Sequence, residues 1–135
     1  MDTLGVVLAK VVLRGSKGSR EYVALVDTGA AMAVIDKKLA EAIGVTYMGK
    51  KRSLISATGQ KLEGEIAIIK ELSVEDETLD YEKLLSVSLS EEVKEVLRKL
   101  GVDDSIILGL TTVELEGFMP DASTGRLRKI EAFLF

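Results

Sequence analysis

Two apolar runs, LGVVLAKVVL from Leu4 to Leu13 and REYVALV from Arg20 to Val26, flank a turn bounded by Gly15 and Gly18. The first is rich in β-branched side chains, which lose rotamer freedom in a helix but pack well on a pleated surface. The spacing predicts two strands joined by a flexible loop, the second ending at Asp27. A buried-type strand that stops on an acid, followed at once by Thr28 and Gly29, is the feature around which the rest of the chain is read.

The remaining elements point to the same class. Ala33 to Ile35 extend an apolar stretch, and Asp36 is placed to cap a short helix over KKLAEAI, with Leu39, Ala40 and Ile43 on one face and Gly44 ending it. Residues 51 to 56 and 60 to 70 read as strands around Ala57-Thr58-Gly59, a hairpin signal with Gly64 as a bulge in the return strand. The acidic segment VEDETLDYE reads as a solvated turn or loop before KLLSVSL. Ser90 to Gly101 carries the clearest helical pattern. Ser90 caps it, Glu91 and Glu92 suit its start, Arg98 and Lys99 its end, and Val93, Val96, Leu97 and Leu100 form an apolar face, with Glu95 and Lys99 spaced as an ion pair.

SIILGL then reads as a short buried strand. Thr111 and Glu114 have the spacing of a capping box for a last helix ending near Gly117, and FMPDASTGRLRKIEAFLF as a terminal hairpin turning between Pro120 and Gly125. The expected fold class is all-β, mainly strands with short helices, in one domain over residues 1 to 135.

Composition narrows the chemistry. A chain of 135 residues is long enough for one core without cross-links, and 47% hydrophobic with 30% charged residues excludes a disordered or fibrous polymer. The formal charge is −4 and the 18 basic residues are scattered apart from the short Lys50-Lys51-Arg52 and Arg126-Leu127-Arg128-Lys129 groups, which argues against nucleic acid as a partner. The chain has no Cys and no His, removing disulfides, Cys/His zinc sites and imidazole chemistry together. The start of the chain, interrupted by Lys10 and Arg14, resembles neither a signal peptide nor a membrane span, so a cytoplasmic location is expected.

Catalysis in such a chain must rest on carboxylates, hydroxyls, Lys or backbone. Thr28 has a hydroxyl able to fix the loop, and Gly29 permits close backbone approach, so the pair can hold Asp27 rigidly. One carboxylate is a poor hydrolase. Two at about 3 Å share a proton over a wide pH range, one acting as base and the other as acid. A twofold dimer would supply the second copy.

These residues resemble the retroviral-type, retropepsin-like aspartic proteases. The likeness runs through LVDTGA (Leu25 to Ala30), VIDKKLAEAIGV (Val34 to Val45), ISATGQ (Ile55 to Gln60), IILG (Ile106 to Gly109) and LTTVELEGF, and looks most like small archaeal members. The resemblance implies a closed β-barrel of the acid-protease type, one lobe per chain, working as a homodimer on peptide or unfolded protein, without metal or cofactor. It implies that Asp27 is catalytic, with Thr28 tying two loops across the dimer and Gly29 beside it. Ala30 fills a small position lining the substrate site. Ser56, Ala57, Thr58, Gly59 and Gln60 form the flap over the substrate, and Ile107, Leu108 and Gly109 support the catalytic loop. Two features depart from the viral pattern: the helix from Ser90 to Gly101 stands where a turn is usual, and the terminal strands differ in length. A binding or assembly module on the same fold is the alternative function. Asp103-Asp104 and Glu75-Asp76-Glu77 read as solvated surface rather than metal ligands.

Overall fold

The computed structural model describes residues 6–55, 59 and 61–130. Among the described residues, nine strands and three helices follow in the order β1 (Val7–Arg14), β2 (Ser19–Asp27), β3 (Val34–Asp36), α1 (Lys37–Ile43), β4 (Thr46–Ile55), β5 (Lys61–Val74), β6 (Glu77–Val87), α2 (Glu91–Lys99), β7 (Ile106–Gly109), α3 (Leu110–Leu115), β8 (Phe118–Asp121) and β9 (Arg126–Lys129). The protein is mostly β, as the strand patterns predict.

The main sheet runs β1-β2-β7-β3-β6-β5-β4, and β1 also pairs with β5, so six strands close into a mixed barrel with β4 outside the ring. Closure leaves those six strands without a long open edge. The interior is filled by alternate residues: Val7, Ala9, Val11 and Leu13 of β1 face inward, with Ile69, Leu72 and Val74 of β5. A second apolar cluster lies outside this core, built on Val34, Leu62, Ile66, Leu85, Val87, Leu97 and Ile107.

Helix α1 forms where expected, with Leu39, Ala40 and Ile43 buried and Gly44 at φ +82°. Asp36 sits at the N-cap position without capping by its side chain. Its buried carboxylate instead accepts from the Leu89 N–H at 3.1 Å and lies 3.6 Å from Lys94 Nζ, tying the start of α1 to α2. In α2, Ser90 accepts from the Val93 N–H at 3.2 Å. Its apolar face is only partly used. Leu97 is buried and Val93 half-buried, whereas Val96 and Leu100 are exposed. Arg98 pairs with Glu91 and Asp104.

Four expectations are corrected. The acidic segment is a hairpin rather than a loop: Glu75 and Asp76 form the turn, and β6 begins at Glu77, in register with Val74. Gly64 is not a bulge, because it pairs directly with Arg52; the irregularity lies across the hairpin between Tyr47 and Lys51, where Gly49 takes φ +71°. Gly64 is needed because a Cβ there would meet the Ser86 carbonyl oxygen at 2.2 Å. Thr111 does not open α3: the helix starts at Leu110, with Gly109 at the N-cap position. Asp103 and Asp104 are not free surface acids. Asp103 accepts from the Val23 N–H at 2.7 Å, and Asp104 binds Arg98 and Ser105.

The terminal hairpin is formed by β8 and β9, paired from Phe118↔Lys129 to Asp121↔Arg126. Asp121 Oδ1 accepts from both the backbone and the hydroxyl of Ser123, and these bonds hold its carboxyl below the usual range. The predicted strand residues Leu4 and Gly5, and positions 131–135 of the predicted hairpin, lie outside the described residues.

Candidate active site

Asp27 is the last residue of β2, and its neighbours explain why it is buried. Strand β7 pairs parallel to β2, with Leu25↔Ile107, Val26↔Leu108 and Asp27↔Gly109, and antiparallel to β3, with Val34↔Ile107. The fully buried IILG segment is thus wedged between the strand entering the loop and the strand leaving it. Ile107, Leu108 and Gly109 lie beside and beneath Asp27-Thr28-Gly29.

Backbone geometry holds the loop itself. Asp27 Oδ1 accepts from the Gly29 N–H at 2.9 Å, and the Asp27 carbonyl accepts from the Ala30 N–H at 3.0 Å. One residue thereby closes the turn with both side chain and main chain. Within the single chain this role belongs to Asp27 rather than to the Thr28 hydroxyl, which sequence reasoning had cast as the local tie. Asp27 is 6% exposed, whereas Thr28 and Gly29 are exposed. Ala30 is buried.

The far side of the loop is fastened to α3. The Leu110 N–H donates to the Ala30 carbonyl at 2.8 Å and the Thr111 N–H to the Ala31 carbonyl at 3.2 Å. Helix α3 therefore has leading N–H groups satisfied by the loop and does not require the Thr-x-x-Glu side chains. Gly109 is where close approach is demanded, since a Cβ there would lie 2.5 to 2.7 Å from backbone atoms of Met32. Met32 was not singled out from the sequence. No local signal marks it, because its role is to be crossed by a strand that comes much later in the chain.

The β4–β5 hairpin stands on this side of the molecule through Leu54 and Leu62, which join the outer apolar cluster with Met32, Val34 and Ile107. Its last described pair is Ile55↔Lys61, and Gly59 adopts φ +83°. Ser56, Ala57, Thr58 and Gln60 lie outside the described residues.

Glu116, just after α3, was also missed. It is buried, its Oε2 accepts from the Val74 N–H at 3.3 Å, and its Oε1 has no partner among the described residues. Burial, reinforced by Glu77 and Glu82, pushes its carboxyl up to about 8. It lies at the end of α3 beside the β5–β6 turn.

Among the described residues, no group of three or more acidic side chains is arranged to hold a metal ion, and no helix is long and apolar enough to cross a membrane. A cavity that Asp27 does not line lies on the face of β4, β5 and β6 that carries Ala67 and Leu84, lined by Lys37, Tyr47, Lys51, Arg52, Glu65 and Ser86 among others.

No curated protein matches the chain significantly. A family model described as aspartyl protease matches residues 9–112, from within β1 to within α3, and so spans the barrel and the whole Asp27 loop. With most of its length covered and an Asp-Thr-Gly turn locked between β2 and β7, the chain belongs to the aspartyl protease family.

Proposed function

We propose that this protein is a homodimeric aspartic endopeptidase in which Asp27 from each of two chains forms one water-activating pair. The observation that carries the reading is a buried acid at the end of β2, fixed by the Gly29 N–H and by β7, in a chain of the aspartyl protease family. One chain supplies one Asp-Thr-Gly loop, so the pair requires a second copy related by a twofold axis. The exposed Thr28 hydroxyl is available to bridge the two loops.

The chemistry follows from like charge. Two carboxylates about 3 Å apart cannot both ionise, so one keeps a proton. The ionised Asp27 takes a proton from water as its oxygen attacks the peptide carbonyl, while the protonated Asp27 donates to the carbonyl oxygen. Collapse of the tetrahedral species returns that proton to the pair. The amide nitrogen receives a proton, the C–N bond breaks and an acid and an amine leave.

Substrate is an extended peptide or unfolded chain, paired as an added strand beneath the β4–β5 hairpin, with Ala57 to Gln60 closing over it as a flap. Met32, half-buried at the margin of the outer cluster, would line its side-chain pockets beside the small Ala30. The proposed location is the cytoplasm.

The test is cleavage of an unstructured peptide library from about pH 3 to about pH 8 with chelator present, comparing wild type with Asp27→Asn at matched dimer concentration. Cleavage that is indifferent to chelator and abolished by the substitution supports the proposal. A strictly monomeric wild type, or cleavage that survives Asp27→Asn, refutes it. No cleavage by a folded dimer would leave the fold serving as a binding module.

A further inference from the structure

The cavity against β4, β5 and β6 has a volume of about 670 Å³, and three cations and two acids line it. Lys51 and Arg52 come from β4, while Lys37 reaches the same cavity from the start of α1. Edge-strand protection accounts for lysines on β4, which lies at the end of the sheet, but not for the convergence of Lys37 from another element. Arg52 donates to the Lys51 carbonyl at 2.8 Å, and none of these three cations forms an ion pair among the described residues.

The acids on this wall do not cancel them. Glu63 is held by Lys61 at 3.3 Å and by the Ser53 hydroxyl, which leaves Glu65, opposite Lys51, as the counter-charge. At the floor, the buried Ser86 hydroxyl and the Tyr47 hydroxyl lie 3.1 Å apart, so hydroxyl groups are fixed where the cations converge. On a chain of net charge −4, a groove where cations outnumber acids favours an acidic partner.

We infer that this groove is a docking site for an acidic segment of a polypeptide, its carboxylates held by Lys37, Lys51 and Arg52 and by the Tyr47–Ser86 hydroxyls. The groove is open and polar, unlike the enclosed apolar cavities that take small organic ligands. Its rim is the outer backbone edge of β4, which pairs with no strand among the described residues and offers N–H and C=O groups to an extended chain. Arg52 brings a planar fork that matches a carboxylate, and Lys37 and Lys51 add point charges beside it. The inference stands whether or not Asp27 hydrolyses peptides.

The experiment uses full-length protein carrying Asp27→Asn, so that the probe stays intact, and a fluorescein-labelled Glu/Ser peptide beside its Gln/Ser counterpart. Fluorescence anisotropy should show saturable, salt-weakened binding of the Glu peptide alone. Lys51→Glu and Lys37→Glu should each weaken it by about tenfold, the size of one lost charge-assisted contact. Amide resonances of Tyr47, Lys51 and Ser86 should shift on titration. Lys51→Gln and Lys37→Gln, checked by circular dichroism, should give smaller losses in the same order. Equal binding of both peptides, indifference to substitutions at both lysines in folded protein, or shifts confined to other surfaces would overturn the inference. So would displacement of the peptide by inorganic phosphate at constant ionic strength, which would reassign the groove to phosphate.

Discussion

Leu25 and Val26 are neighbours in β2 but belong to different worlds. Val26 points into the barrel, among side chains such as Val11, Leu13, Ile69, Leu72 and Leu108 that are fully buried. Leu25 points outward to the cluster around Val34, Leu85 and Ile107, whose margin is made of the half-buried Leu8, Met32, Leu54 and Val93. The inner core is complete within one chain. The outer cluster is unfinished, and it lies against the Asp27 loop and the base of the β4–β5 hairpin. The difference teaches that one face of these strands is packed for stability while the other borders the proposed site.

Substitutions can break or sharpen that division. The largest loss of stability is expected from Leu108→Ala, which empties a fully buried position in the barrel and should cost about 2–5 kcal/mol by chemical denaturation. Leu54→Ala, in the unfinished cluster, should cost clearly less while raising KM for peptide substrates. Equal costs at the two positions would dissolve the distinction. Gly109→Ala comes next: the new methyl meets Met32 backbone, and the strain should amount to about 1–3 kcal/mol with a loss of activity out of proportion to it. Ser90→Ala removes the cap of α2 and should cost about 1 kcal/mol, seen as faster amide exchange in α2 before the barrel opens.

The mildest prediction is a slope. Glu116 is pushed up to about 8 by burial, so between the ordinary carboxylate range and that value the folded chain retains a proton that the unfolded chain has released. Its contribution is therefore fully present at acid pH, falls as pH rises toward 8, and levels off above. Glu116→Gln should flatten this part of the profile of melting temperature against pH. An unchanged slope would show that Glu116 does not titrate there.

Much of the fold was legible because local signals and tertiary demands agreed. The β1–β2 pair, the cap and termini of α2, the Leu39–Ala40–Ile43 face of α1 and the buried run of β7 were each written in periodicity or capping chemistry. The first half of β6 was not: from Glu77 to Lys83 its side chains are exposed or half-buried on both faces, so it lacks the apolar alternation that marks a strand, and its conformation is imposed by β5. The start of α3 was misread because its donors are satisfied by Ala30 and Ala31, about 80 residues earlier, rather than by its own side chains. At the site, Asp-Thr-Gly and IILG could be picked out as residues, whereas Met32 and the cavity walled by β4, β5 and β6 exist only once distant strands are brought together.

The position of β7 between β2 and β3 has a consequence for how the molecule assembles. Both flanking strands are synthesised early, yet the edge that each presents to β7 stays unpaired until residues 106–109 have left the ribosome. Hairpins such as β1–β2 and β5–β6 close short loops and form fast, while insertion of β7 is a long-range event whose loop-closure entropy is met only at the end. The Asp27 turn closes on itself locally, but its fastening to Gly109 and Leu110 waits for β7. A nascent chain halted at α2 presents two bare strand edges and an Asp27 turn not yet flanked by Gly109 or fastened to Leu110.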